Sequence, residues 1–220
     1  MQDLDNFNYM MVAQMAEQEA LQYEQLIKNC KKIRTGDIVF VDNRNLIGNL
    51  IKFGTKGVVN HTGIVVKIDG MQKDEHVMVA EATSAGFVIK PYSYYYIQSS
   101  CAIGRVFEEL SKEDRDFLRS EIVKLLGTPY GWNDILTIIK YILIRGRGMP
   151  VNNLTEDANK IICSEAVPLV YKRALSYKLS NKPFRLTTPQ DLYERNDIVR
   201  YKELDGTWNF KEITGDKSAI

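Results

Sequence analysis

Between Gly36 and Phe107 the chain is a succession of short β-branched runs, and no other feature narrows its fold as much. They are GDIVFV (36–41), TGIVVKI (62–68), HVMVAEAT (76–83), GFVIKPY (86–92) and CAIGRVF (101–107), each punctuated by glycine or polar turn residues. No helical period stands between them, which predicts an antiparallel sheet or small barrel. Downstream the period becomes helical. In LSKEDRDFLRSEIVKLLG, Ser111 suits an N-cap, Glu113 and Asp114 fill the first turn, and Gly127 suits the position after the C-cap. PYGWNDILTIIKYILIRGRG predicts a turn, a strongly apolar helix and then a flexible linker at 145–154. A further helix opens near Cys163, TTPQDLYER offers Thr188 as N-cap with Pro189 at N1, and IVRYKEL (198–204) reads as a last strand. The class is α+β.

Residues 6–32 contain no Gly or Pro and read as a helix that ends in Lys28, Lys31, Lys32 and Arg34, where cations complement the helix dipole. The expected division is therefore a helical extension at 1–34, able to pack on the domain or to dock a protein partner, and a main domain at 35–220. A formal net charge of +1 gives no bulk electrostatic case for nucleic acid or a membrane surface. Cys30, Cys101 and Cys163 are scattered without CxxC spacing, so neither a zinc site nor a disulfide framework is indicated, and a reducing compartment fits. The acids near the start of the chain argue against a secretory signal. ILTIIKYILI (135–144) has ten residues with Lys140 inside, against the roughly 20 of a membrane-spanning helix. A cytoplasmic protein without an integral membrane segment is expected.

Three residue types raise the question of chemistry. His61, in VNHTGIVV, opens a strand after a Gly-rich, mobile-looking loop (FGTKGVVN), whereas His76 follows a charged turn and reads as exposed and inert. Glu81 interrupts a run of small and apolar residues in HVMVAEATSAG. A hairpin turning at 69–75 would bring it close to His61. A buried carboxylate needs a donor, which an imidazole could supply; on an edge strand Glu81 would simply face water. Cys163 heads a helix, where a thiol is either core filling or a nucleophile favoured by the helix N-terminus. A cysteine nucleophile needs a base and a group to orient that base, and Cys163, His61 and Glu81 supply the three types. A metal site from His61, Glu81, Cys163 and His76 is disfavoured, because zinc ligands normally show tighter local spacing.

Five short stretches together resemble the NlpC/P60 branch of papain-like cysteine peptidases. GTPYGW (127–132) is similar to the G-x-P-Y-x-W element, ICSEAV (162–167) to the D-C-S-G nucleophile motif, and TGDIVFV (35–41) to the P-G-D strand. NHTGIVV (60–66) is similar to the strand carrying the base, and VAEATSAGFVI (79–89) to the strand carrying its orienting residue. The matches map onto roughly 36–205, but His61 and Glu81 precede Cys163, the order of the circularly permuted, YiiX/YaeF-like members. The resemblance implies a permuted papain-like fold for 35–220. It also implies a cysteine amidase or peptidase with Cys163 as nucleophile, His61 as base, Glu81 orienting it, and Tyr130 lining the substrate pocket. Peptide-like substrates are implied, such as cell-wall peptides or amino-acid amides, and no cofactor. Ester hydrolysis, thioester-mediated acyl transfer to a lipid or amine, and a non-catalytic assembly module remain as alternatives. Ile162 and Glu165 depart from the motif's Asp and Gly, and Pro168 stands inside the nucleophile helix, where it removes a backbone bond. The apolar helix at 135–144 and the linker after it are expected to shape the substrate cleft.

Overall fold

The computed structural model describes Glu17 and residues 30–44, 46–68, 77–98, 100–107, 109–145 and 159–207. Strands β1 (Ile38–Asp42), β2 (His61–Lys67), β3 (Val77–Thr83), β4 (Gly86–Pro91), β5 (Ser100–Arg105) and β6 (Val199–Lys202) form one sheet in the order β4-β3-β2-β1-β5-β6. Every neighbouring pair is antiparallel. The order is linear, so among the described residues the strands make an open sheet and not a barrel. The expected α+β class and the five early strands hold, each within a residue or two of its predicted bounds.

The strands lack the alternation of a half-solvated antiparallel sheet because both faces of this one are covered. On one face Ile38, Phe40, Ile64, Ala80, Ala82 and Phe87 pack with Leu118, Ile122, Val167, Val170 and Leu192 from the helices. On the other, Val39, Val41, Val65, Val79, Cys101 and Ile103 pack with Cys30, Ile33, Tyr92, Tyr95 and Tyr201. Complete burial of one such aliphatic side chain is worth about 1.5–3 kcal/mol.

Helices α3 (Lys112–Leu125), α4 (Trp132–Arg145), α5 (Cys163–Leu175) and α6 (Pro189–Tyr193) stand where the sequence places them. Ser111 caps α3 through a reciprocal bond with Asp114, and Thr188 does the same for α6 with Asp191. Two helices were not expected: α1 (Leu46–Thr55) lies between β1 and β2, and α2 (Ser93–Gln98) between β4 and β5. The stretch read as a mobile loop before His61 therefore begins inside α1. Its remainder is pinned from α6, where Gln190 Oε1 accepts the Val58 and Val59 N–H groups at 2.8 and 3.3 Å. His76, the linker at 146–154, and the expected helical extension apart from Glu17 and residues 30–34 lie outside the described residues.

Candidate active site

β2 opens with His61, paired across from Val41 of β1. The β2–β3 register sets Ile64 against Ala80, which places Glu81 one step on, across from Gly63. A Cβ at position 63 would meet Val79 Cγ1 at 2.5 Å and Glu81 Cβ at 3.4 Å. The missing side chain leaves the Glu81 carboxylate a clear diagonal to His61, and its Oε2 bonds the imidazole Nε2. Of the two readings for Glu81, burial is the one found. It is 2% exposed, on a strand flanked by β2 and β4. Its second oxygen, Oε1, takes the Lys90 ammonium at 3.1 Å from β4.

Cys163 is the first residue of α5 and is 5% exposed. Ile162, the extended N-cap, contributes no side-chain cap, so the first amide groups of α5 keep the unpaired character of a helix N-terminus. Thr62, next to His61, donates its hydroxyl to the Cys163 carbonyl at 3.2 Å and so fixes α5 against β2. The GTPYGW segment is placed by two backbone seams. Phe87 N–H bonds Thr128 O at 2.9 Å and Gly127 N–H bonds Phe87 O at 3.0 Å, joining it to β4. Ile161 N–H bonds Pro129 O at 3.0 Å and Gly131 N–H bonds Ile161 O at 3.1 Å. Tyr130 thereby pairs with the residue two before Cys163. His61, Glu81, Tyr130 and Cys163 all line one cleft of about 320 Å³, with Ile47 and Ile51 of α1 and Trp132 and Ile135 of α4.

The electrostatics couple these groups. Burial alone would lower the His61 pKa, but the charge and hydrogen bond of Cys163, then those of Glu81, raise it to about 10. Burial would raise the Glu81 pKa, but the bond to His61 and the Lys90 charge hold it at about 2. Burial and Cys163 push the Tyr130 phenol upward, so it stays a neutral donor. With Nε2 engaged by Glu81, Nδ1 is the ring nitrogen left for the thiol.

A pH-dependent stability follows. The raised His61 contributes fully below its unfolded pKa of 6.5 and loses that contribution as pH rises through about 10; the depressed Glu81 contributes above its unfolded 4.5 and loses it as pH falls through about 2. The melting temperatures of the wild type and Glu81→Gln should differ most between pH 4.5 and 6.5 and converge above pH 10. A gap that persists unchanged above pH 10 would remove the ion pair from the account.

Several neighbours were not read from the sequence. Lys90 reaches Glu81 because Val79 pairs with Lys90, a diagonal that only the β3–β4 register reveals. Tyr95, from the unexpected α2, buries its hydroxyl beside Glu81, and burial with that charge raises its pKa. The motif departures have packing partners. Ile162 joins Ile135 and Ile138 in an apolar cluster with Tyr130 at its edge. Glu165 lies 3.5 Å from Arg185 and Arg185 3.2 Å from Asp134. Burial raises the Glu165 pKa, which Arg185 partly offsets. Pro168 is buried in α5, and nothing in the structure gives it a role at the site.

Fold and site define an α+β protein with a cysteine, a histidine and a glutamate gathered at one end of an antiparallel sheet. No protein-family model matches the chain, and no curated protein matches it. Among the solved structures that match is the crystal structure of metalloprotein yiiX from Escherichia coli O157:H7, DUF1105. The two superpose with a TM-score of 0.59 at 20% sequence identity, over 77% of this chain and 97% of that one. At this identity the likeness establishes a shared fold. Among the described residues no helix is long and apolar enough to cross a membrane.

Proposed function

We propose that the protein is a cysteine hydrolase on a circularly permuted papain-like scaffold, cleaving an amide in a peptide-like substrate. What carries this reading is the meeting of Cys163, His61 and Glu81, from a helix N-terminus and two strands, in one cleft. In the first step the Cys163 proton passes to His61 Nδ1 and the sulfur attacks the acyl carbon. The first amides of α5 face the developing oxyanion. The C–N bond breaks as His61 returns the proton to the leaving nitrogen, leaving a thioester. Water then attacks the thioester, its proton going to His61; the C–S bond breaks, the acid leaves and the thiol regains its proton. Glu81 holds the ring and stabilises its charged form. Tyr130 offers a neutral hydroxyl to the bound acyl group.

A second reading, acyl transfer to a lipid or amine through the same thioester, draws on the apolar cleft wall formed by Ile47, Ile51, Trp132 and Ile135. Transfer to an added acceptor in preference to water would select it.

The yiiX structure is titled a metalloprotein. Among the described residues here, no three His, Cys, Asp or Glu side chains gather as metal ligands do, and Glu81 already occupies Nε2 of His61. The described residues do not fit a metal site, and no step above passes through one.

The test is alkylation of Cys163 by iodoacetamide, with Cys30 and Cys101 changed to Ser. The thiolate is the reactive species, and a neighbouring imidazolium favours it. At pH 6–7 the rate should fall at least about tenfold in His61→Ala. EDTA should leave the wild-type rate and melting temperature unchanged. Equal rates in the two proteins would assign Cys163 to the core and favour a non-catalytic module; a loss of reactivity or stability in EDTA would restore a metal to the site.

A further inference from the structure

The two helices that wall the cleft, α1 and α4, also carry large apolar side chains exposed to solvent. On α4, Trp132, Leu136 and Leu143 are 42%, 59% and 68% exposed, and their spacing of four and seven residues puts them on one stripe. Ile135 and Ile138, on the adjoining stripe, are buried at 5% and 4%. On α1, Leu46 and Phe53, seven residues apart, are 77% and 52% exposed, with Ile47 at 40% beside the cleft. An outer helix face is ordinarily polar, and single exposed apolar side chains need no explanation. Here two packed helices that both line the cleft present such stripes together.

The charge on these helices has one sign. Their cations are Lys52, Lys140 and Arg145, of which Lys52 is half-buried and paired with Asp42, and their one acid, Asp134, is 6% exposed and held by Arg185. Lys140 is exposed and falls between Leu136 and Leu143 on the stripe, and Lys56, exposed, follows α1 directly. The net charge of +1 hides this local bias. The cores of protein interfaces are depleted in lysine, and in a two-fold pairing of copies this face would oppose its own cations. Apolar stripes with interspersed basic residues and no exposed acid suit the interface of an anionic bilayer, where the rings and aliphatic chains enter the headgroup boundary and the ammonium groups meet phosphate.

We propose that the α1–α4 face docks on an anionic lipid surface and sets the mouth of the cleft against it. The cleft then opens toward molecules held at that surface. Docking is independent of the cysteine chemistry, so either proposal can fail without the other.

Flotation of the full chain with phosphatidylcholine vesicles, with and without phosphatidylserine, tests this. Binding should require phosphatidylserine, weaken with salt, be unchanged in Cys163→Ala, and fall at least about tenfold in Leu136→Ser/Leu143→Ser. Both leucines are exposed, so circular dichroism should show the variant folded; Lys140→Glu should weaken binding in the same direction. No binding to either vesicle, equal binding to both, or full binding by the leucine variant would overturn the proposal. Concentration-dependent dimerisation abolished by the leucine variant would give the face to a second copy instead and overturn it too.

Discussion

Cys163→Ala should abolish turnover of any amide or ester substrate that the wild type hydrolyses, with kcat falling on the order of 10⁴-fold or more. The sulfur is the only group in the proposed sequence that can carry the acyl intermediate. His61→Ala should fall to a similar level, because without the imidazole the thiol is not activated and the leaving group has no acid to protonate it. The double variant should be no slower than either single one, since groups that act in one step lose their effect together. That non-additivity separates a catalytic pair from two residues that merely support the cleft. The fold should survive the cysteine change: Thr62 bonds the backbone carbonyl of residue 163 and not its sulfur. The measurement is release of the leaving amine or alcohol for wild type, single and double variants, beside their melting temperatures. Activity that persists in Cys163→Ala would end the nucleophile assignment, whatever the alkylation rates show.

What the sequence reveals here depends on how local each signal is. The early strands are legible because β-branched runs and their turns are local, and the helix starts at Ser111 and Thr188 because a cap and its acid lie three residues apart. α1 is not legible: it has no acid in its first turn and carries Gly48 and Gly54, which read as loop. Both glycines are buried, so tertiary packing overrides their poor propensity. α2 fails for a related reason. Ser-Tyr-Tyr-Tyr favours strand, yet Tyr95 completes a core with Ile33, Val65 and Tyr201, which lie far off in sequence. At the site, the proximity of His61 and Glu81 follows from a hairpin register and could be anticipated. Lys90, Tyr95 and the Asp134–Arg185–Glu165 group could not, because they arrive through diagonals, an unexpected helix and a contact more than fifty residues away.

The largest loss of stability should come from the opposite end of β1. Asp37 just precedes that strand, whereas Val41, near its other end, pairs with His61. Asp37 is 1% exposed, and its carboxylate takes Arg105 Nε at 2.7 Å, Arg105 Nη2 at 2.9 Å, the Arg34 N–H at 2.7 Å and the Tyr201 hydroxyl. It thus ties the chain before β1 to β5 and β6 through one group. Arg105 itself is 8% exposed, with its guanidinium 4.8 Å over the Tyr201 ring. Asp37→Ala would leave that cation buried without a counter-charge and strand a backbone N–H and a phenol. Breaking a buried pair on one side costs about 3–5 kcal/mol, which for a chain of this size lowers the melting temperature by something on the order of 10 °C. Asp37→Leu combined with Arg105→Met should be milder than Asp37→Ala, because removing both charges removes the desolvation penalty along with the attraction. Below its melting point Asp37→Ala should keep its Cys163 alkylation rate, since the cleft is organised at the other end of the strand. If reactivity fell with the pair while the melting temperature held, Asp37 would belong to the chemistry and not to the scaffold.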